Sequence, residues 1–190
     1  MNNSRYQLQN VTDPKILDEI YQFRARVWSE SHDLAPDAFP SGKWRDRHDE
    51  NAQHWAVFDS QGKIAGSARL TLHQALEDVV EPEQYLRYGV ECDGLIAAPD
   101  RVVVCPAARR QGIANRLLDV QDQAALAAAA VCAIRQASPA MCRLIQKREW
   151  QLLGPASIDP RFPDLVFTVA MRAFQANRVR IRTRQNEAAA

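Results

Sequence analysis

The sequence has almost no charge of either sign to spare: 24 basic against 23 acidic residues leave +1 over 190 residues. No global field therefore draws the chain to a nucleic acid or to an anionic membrane. No apolar run approaches the roughly 20 residues that a spanning helix needs. The chain opens on the polar MNNSRYQLQN, not on a basic stretch followed by an apolar one. Its four cysteines, Cys92, Cys105, Cys132 and Cys142, have no CxxC spacing. Its four histidines fall within the first 73 residues at irregular intervals. Together these absences predict reduced thiols without disulfides, no metal site, and a cytoplasmic location.

The chain does carry 46% hydrophobic residues, enough for one domain with its own core. That domain is expected over residues 1–175. The remaining 176–190 read as a flexible basic tail, since ANRVRIRTRQNEAAA alternates four arginines with other residues. Four such charges in a neutral chain are too few for a nucleic-acid arm.

Strand and helix patterns alternate along the chain. Tyr6 to Val11 predicts a strand, and Asp13 followed by Pro14 caps a helix with Ile16, Ile20, Phe23 and Val27 on one face. Residues 34–51 are polar and contain Pro36, Pro40 and Gly42, which predicts a long irregular connection of the functional kind. His54 to Phe58 and Ile64 to Leu72 form a hairpin across DSQGK. A short helix is expected within Glu81 to Tyr88. RVVVC at 101–105 reads as a buried strand leading into a helix with Ile113, Leu117, Val120 and Ala124 inward. VCAIRQ is the next strand, Ser138 and Pro139 cap a helix bearing Met141, Leu144 and Ile145, and LVFTVAMR supplies a last strand. The order predicts an α/β (α+β) fold with a mixed sheet and helices on its faces.

The segment CPAARRQGIANRLL, 105–118, departs from what helix stability alone would select. A helix opening near residue 109 offers unpaired amides and the positive end of its dipole to an anion. Gly112 and Ala114 leave the backbone open to a bulky diphosphate, and Arg109 and Arg110 add charge.

VCPAARRQGIA resembles the coenzyme A-binding motif of the GCN5-related N-acetyltransferases (GNAT): Val104 and Pro106 end the strand, and Arg109, Gly112 and Ala114 fit R-x-x-G-x-G/A. The resemblance implies a mixed central sheet flanked by helices on both faces. It also implies an acetyl-CoA or other acyl-CoA co-substrate. Arg109 and the amides of Gln111, Gly112, Ile113 and Ala114 would hold the pyrophosphate, with Arg110 near a phosphate or solvent. The backbone of Val102, Val103 and Val104 would pair with the pantetheine arm and polarise the thioester. In this fold a C-terminal strand often pairs subunits, so a homodimer is one expected assembly.

A second likeness lies upstream. RARVW (Arg24, Val27, Trp28), DRHD (Asp46, Asp49) and GSARL (Gly66, Arg69, Leu70) resemble, in order and spacing, a pattern of acyl-homoserine lactone synthases and long-chain N-acyl amino acid synthases. This implies that Arg24, Trp28, Asp46, Asp49 and Arg69 shape the acceptor side. Trp44 stands where an acid is usual, and Leu72 near a usual proline. On a strand, Arg69 shares a face with Ser67 and Thr71 and is expected to point to a cleft or to solvent.

Acyl transfer to an amine needs a neutral nucleophile, a donor to the developing oxyanion and a proton for the leaving thiolate. Asp100, at the start of the motif strand, is the candidate base. The family's usual proton-donating tyrosine is absent: IQKREW places Ile145 there, which leaves Cys142, Ser138 or water. Three readings follow from this: an N-acyltransferase moving an acyl group from acyl-CoA to a small-molecule amine; a synthase-like enzyme served by acyl carrier protein; and a non-catalytic acyl-CoA-binding sensor.

Overall fold

The computed structural model describes residues 5–34, 37–160 and 162–182. They form a mixed α/β fold with a large, mostly antiparallel sheet and flanking helices. They divide into two compact units, 1–71 with 99–124, and 72–98 with 125–190. The sequence suggests one domain; its chain passes between the units within strands and helices.

The first unit is built on an antiparallel meander of β1 (Tyr6–Val11), β2 (Gln53–Asp59) and β3 (Ile64–His73). Beside β3 lies the later part of β5 (Ile96–Val104). The helix α1 (Pro14–His32) starts at Asp13, whose carboxylate accepts from the Lys15 amide, with Pro14 in the first turn. Its inward stripe is Ile20, Phe23, Arg24 and Val27, spaced i, i+3, i+4, i+7. An arginine thus occupies an apolar position, and its buried head requires a partner. β3 is buried along almost its whole length. Gly66 on β3 faces α3 (Ile113–Ala127) so closely that a Cβ there would lie 2.7 Å from Ile113 Cγ2. The opposite face, with Ser67 and Arg69, is covered by α1 and the 46–49 turn.

The second unit holds the start of β5 and the strands β6 (Cys132–Ala137), β8 (Thr168–Ala173) and β7 (Gln151–Pro155). β6 pairs in parallel with β5 at Ile96 and Ala97 and antiparallel with β8. A two-stranded ribbon joins β4 (Val90–Cys92) to β9 (Val179–Ile181). Its helices are α2 (Glu83–Leu86) and α4 (Pro139–Ile145), the latter capped by Ser138. The core is aliphatic and aromatic: Ile96, Val131, Ile134, Val169, Met171 and Tyr85 among others.

Two expectations change. The last strand begins at Thr168, because residues 165–167 do not pair in β8. Residues 179–181 of the expected tail are β9, whose Val179 and Ile181 pack on the core; 183–190 lie outside the described residues. Among the described residues, no helix is long and apolar enough to cross a membrane.

Candidate active site

The motif strand carries a strained residue. Within β5, Arg101 adopts φ 54°, a left-handed conformation that costs a non-glycine residue energy. After Val104 the chain makes a single turn of 3₁₀ helix at Pro106–Ala108, and α3 starts only at Ile113. The helix start expected near 109 is therefore four residues late. The intervening loop turns through two left-handed residues, Arg110 (φ 62°) and Gly112 (φ 74°), and Gly112 supplies the carbonyl for the first helical turn through the Arg116 amide. Space around Gly112 is open: a Cβ there would meet nothing within 4 Å. Ile113 and Leu117 anchor the helix in the core. Arg109 is exposed and donates to Ser31 Oγ at 2.8 Å, and Arg110 is exposed as well. The loop is thus held at both ends and solvent-facing in between, as an anion site of exposed amides requires.

The residues of the second likeness come together, together with others that the sequence did not single out. Arg69 is the hub. Its Nε and one Nη bond the two oxygens of Asp100 at 2.8 and 2.5 Å, a bidentate fork, and the other Nη bonds Asp46 and Asp49 at 2.8 Å each. Arg24 bonds Asp49 at 3.1 Å and places its other Nη on His54 Nδ1 at 3.2 Å. Arg101 bonds Asp46 at 2.7 Å. The side chains of Arg24, Asp49 and Arg69 are fully buried, whereas Asp46 and Asp100 are 27% and 29% exposed and Arg101 12%. Arg69 therefore points neither to solvent nor to an open cleft, contrary to the strand-alternation expectation, because both faces of β3 are covered.

Three arginines face three aspartates, so the cluster is charge-balanced. The DRHD segment explains two of them: Asp46 and Asp49 form a reciprocal capping box on the Arg47–Asn51 turn, which pins both carboxylates toward Arg69. His54 lies directly across from Arg69 in the β2–β3 register. Its Nδ1 faces an arginine and its Nε2 faces the Asp49 carbonyl at 3.1 Å, which selects the neutral tautomer with the proton on Nε2. Burial lowers its pKa further. Burial raises the Asp100 carboxyl, but the charge and hydrogen bonds of Arg69 outweigh it and hold the group below its ordinary range. For Asp46 the opposition of burial is likewise overcome by Arg69 and Arg101. Burial brings Arg24 down to about 10, so it stays charged at neutral pH.

A carboxylate in that state holds a cation and is a poor proton acceptor near pH 7. With both oxygens engaged by Arg69, Asp100 is a weaker base here than its place beside the motif leads one to expect. Cys142, in the second unit, is buried, and its thiol donates to the Ala137 carbonyl at 3.6 Å. That contact makes it a structural thiol and not an exposed acid. Beside the partly exposed edge of the cluster, the Arg101 guanidinium lies 4.2 Å from the centroid of Trp44, which packs on Trp28 and Phe39, each at 5.1 Å. Trp28 is thus half-buried in an aromatic wall next to charged groups.

Gln121 is a residue the periodicity concealed, since it continues the inward stripe of α3 from Leu117. Its side-chain nitrogen donates to the carbonyls of Arg69 and Asp100, tying β3 to β5 at the residue before the left-handed Arg101. Among the described residues its oxygen is buried without a partner, a cost stability alone would remove. Gln121→Met is expected to lower stability by about 1–3 kcal/mol, because two buried carbonyls lose their donor. A urea midpoint equal to wild type would show that the bridge contributes nothing.

Acid should unfold the protein in two stages. His54 has a lowered folded pKa, so its contribution is intact above the unfolded value near 6.5 and is lost as pH falls below it. Asp46 and Asp100, also lowered, lose theirs below about 4. Stability measured by urea at stepped pH should show both falls, and His54→Gln should shrink the first, to which His32, also lowered by burial, contributes as well, while leaving the second. A single fall confined below pH 4 in the wild type would contradict the assignment of His54.

Comparison with known proteins identifies the family and the fold. The model of the acetyltransferase (GNAT) family matches residues 17–149. The chain belongs to this family. It is an acyltransferase by that membership. A search of curated proteins finds no match. The GNAT fold recurs in solved structures of low identity. An acyl-CoA N-acyltransferase from Pseudomonas aeruginosa is 17% identical, with TM-score 0.58 over 88% of this chain and 98% of its own. FeeM, an N-acyl amino acid synthase from uncultured soil microbes, is 11% identical, with TM-score 0.64 over 92% and 94%. BjaI, a CoA-dependent acyl-homoserine lactone synthase, is 13% identical, with TM-score 0.63 over 93% and 84%. The architecture expected from both sequence likenesses is therefore that of this GNAT chain.

Proposed function

We propose that this GNAT enzyme transfers an acyl group from acyl-CoA to the amine of a small molecule by direct attack. The observation that carries the donor half is the 105–114 loop, where two left-handed residues, Arg110 and Gly112, lead from β5 into α3 with open space at Gly112. Amides of residues 111–114 with Arg109 would take the pyrophosphate, and the backbone of Val102 to Val104 the pantetheine and the thioester oxygen. The neutral amine attacks the thioester carbon, the C–S bond breaks, and the amine's proton ends on the departing thiolate by way of water. No residue is needed as a dedicated acid if the thiolate leaves into solvent; the ion-paired Asp100 and the buried Cys142 fit that assignment.

A second reading has its own support. The residues of the synthase likeness, Arg24, Asp46, Asp49 and Arg69, converge on one network with Asp100 and Arg101. That network borders the Trp28, Phe39 and Trp44 wall, so an acceptor with both a charged and an apolar part, such as an amino acid derivative, would fit beside it. In this version acyl carrier protein is the donor. Thiol release from a panel of acyl-CoAs and acyl carrier proteins, each with a panel of amines, decides between them. Turnover with acyl-CoA supports the first; turnover confined to the carrier protein supports the second. Tight acyl-CoA binding with no turnover on any amine would overturn both.

A further inference from the structure

Two of the four cysteines face each other in the second unit, far apart in sequence. Cys92 ends β4 and Cys132 begins β6, and their sulfurs lie 2.7 Å apart. Both are free thiols. That separation exceeds the roughly 2.05 Å of a formed disulfide by less than an ångström. The strands that carry them are set independently: Cys92 pairs with Val179 across the β4–β9 ribbon, and Cys132 pairs with Ile96 and Ala173. Both pack in one core cluster with Val90, Val131 and Val179. Their exposures differ. Cys132 is completely buried, whereas Cys92 is partly accessible.

We propose that Cys92 and Cys132 are an oxidation site, at which a hydroperoxide reacting with Cys92 closes a cross-strand disulfide to Cys132. The Cys92 sulfur attacks the peroxide and the O–O bond breaks, giving a sulfenic acid on Cys92 and one water (or alcohol). The Cys132 sulfur then attacks the Cys92 sulfur, the S–O bond breaks, and the Cys132 proton leaves with the hydroxide as a second water. Two thiols are oxidised and one hydroperoxide is reduced. The contact itself divides the roles, since the neighbouring Cys132 stabilises the Cys92 thiolate and lowers its pKa, while Cys92 and burial raise that of Cys132. The product ties the β4–β9 ribbon to β6 and closes the chain over residues 93–131. The reduced state expected of a cytoplasmic chain is then one of two states that this pair adopts.

The test treats the full chain with a small excess of hydrogen peroxide, blocks remaining thiols under denaturing conditions, and reads mass and thermal unfolding. The expected product is 2 Da lighter before blocking, with a tryptic species linking residues 88–101 to 117–135. Its unfolding midpoint should rise on the order of 5–15 °C and return with dithiothreitol. Cys132→Ala should instead stop at a sulfenic acid on Cys92, trapped by dimedone, which keeps the proposal testable where Cys92→Ser merely abolishes the link. Linkage through Cys105 or Cys142, or over-oxidation of Cys92 with Cys132 left free, would overturn it. The outcome is independent of acyltransfer, so failure of either proposal leaves the other standing.

Discussion

Replacing Arg69 with methionine is expected to leave little folded protein at room temperature. Arg69 is the one arginine of the network that pairs with all three of Asp46, Asp49 and Asp100, and its side chain is fully buried. Removing it takes one partner from each carboxylate, of which Asp49 has no access to solvent. Breaking one buried pair commonly costs about 3–5 kcal/mol, against a total stability of roughly 5–15 kcal/mol for a domain. Arg24 still serves Asp49 and Arg101 still serves Asp46, so the loss falls hardest on Asp100, which loses both of its Arg69 bonds. The double change Arg69→Met with Asp100→Asn should therefore recover part of the loss, and Arg69→Lys should recover little, since an ammonium cannot fork between Asp100 and the two other acids. Urea midpoints for the four proteins provide the measurement. A single Arg69→Met variant within about 1 kcal/mol of wild type would mean that the network is an exposed array worth little.

The same cluster shows how far the chain could be read before folding. Arg24, Asp46, Asp49 and Arg69 stand out through a family pattern, and Asp13 with Pro14, or Ser138 with Pro139, mark helix starts by cap chemistry that acts within a few residues. Local rules carry those features. What they miss depends on elements far apart in sequence. Alternation along β3 tells that Arg69 shares a face with Ser67 and Thr71, but not that α1 and the 46–49 turn cover that face. His54 becomes visible only through register with Arg69, and Gln121, next to the expected inward position Val120 of α3, is singled out only by its two carbonyl acceptors on β3 and β5. The Cys92 and Cys132 pair lacks any spacing signal for the same reason. Asp100 was a reasonable base from its place beside the motif, yet the arginine that occupies both its oxygens lies 31 residues upstream. The helix start at Ile113 in place of 109 reflects Arg110 and Gly112, whose left-handed turns delay the first helical residue.

Gly112→Glu is expected to reduce acyl-CoA affinity by a factor of at least 10 to 100 while the protein still folds. Gly112 lies at φ 74°, where a side chain costs about 1 kcal/mol. Among the described residues, no atom beyond the glycine and its chain neighbours lies within 4 Å of the position a Cβ would take, so packing there does not resist the change. A glutamate side chain would project from the loop whose amides are proposed to hold the diphosphate, and its charge would repel that anion as well as occupy its space. Gly112→Ala isolates the backbone cost and should weaken binding only a few fold. Arg109→Ala should fall between the two, since it removes one exposed cation and frees Ser31. Calorimetry with acetyl-CoA on the three variants ranks them, with unfolding midpoints to show that the fold persists. Affinity unchanged in Gly112→Glu, with Arg109→Ala also unchanged, would place the diphosphate elsewhere on the chain. An equal loss in Gly112→Ala and Gly112→Glu would point to the conformation of the loop, not the space above it, as the feature that binds.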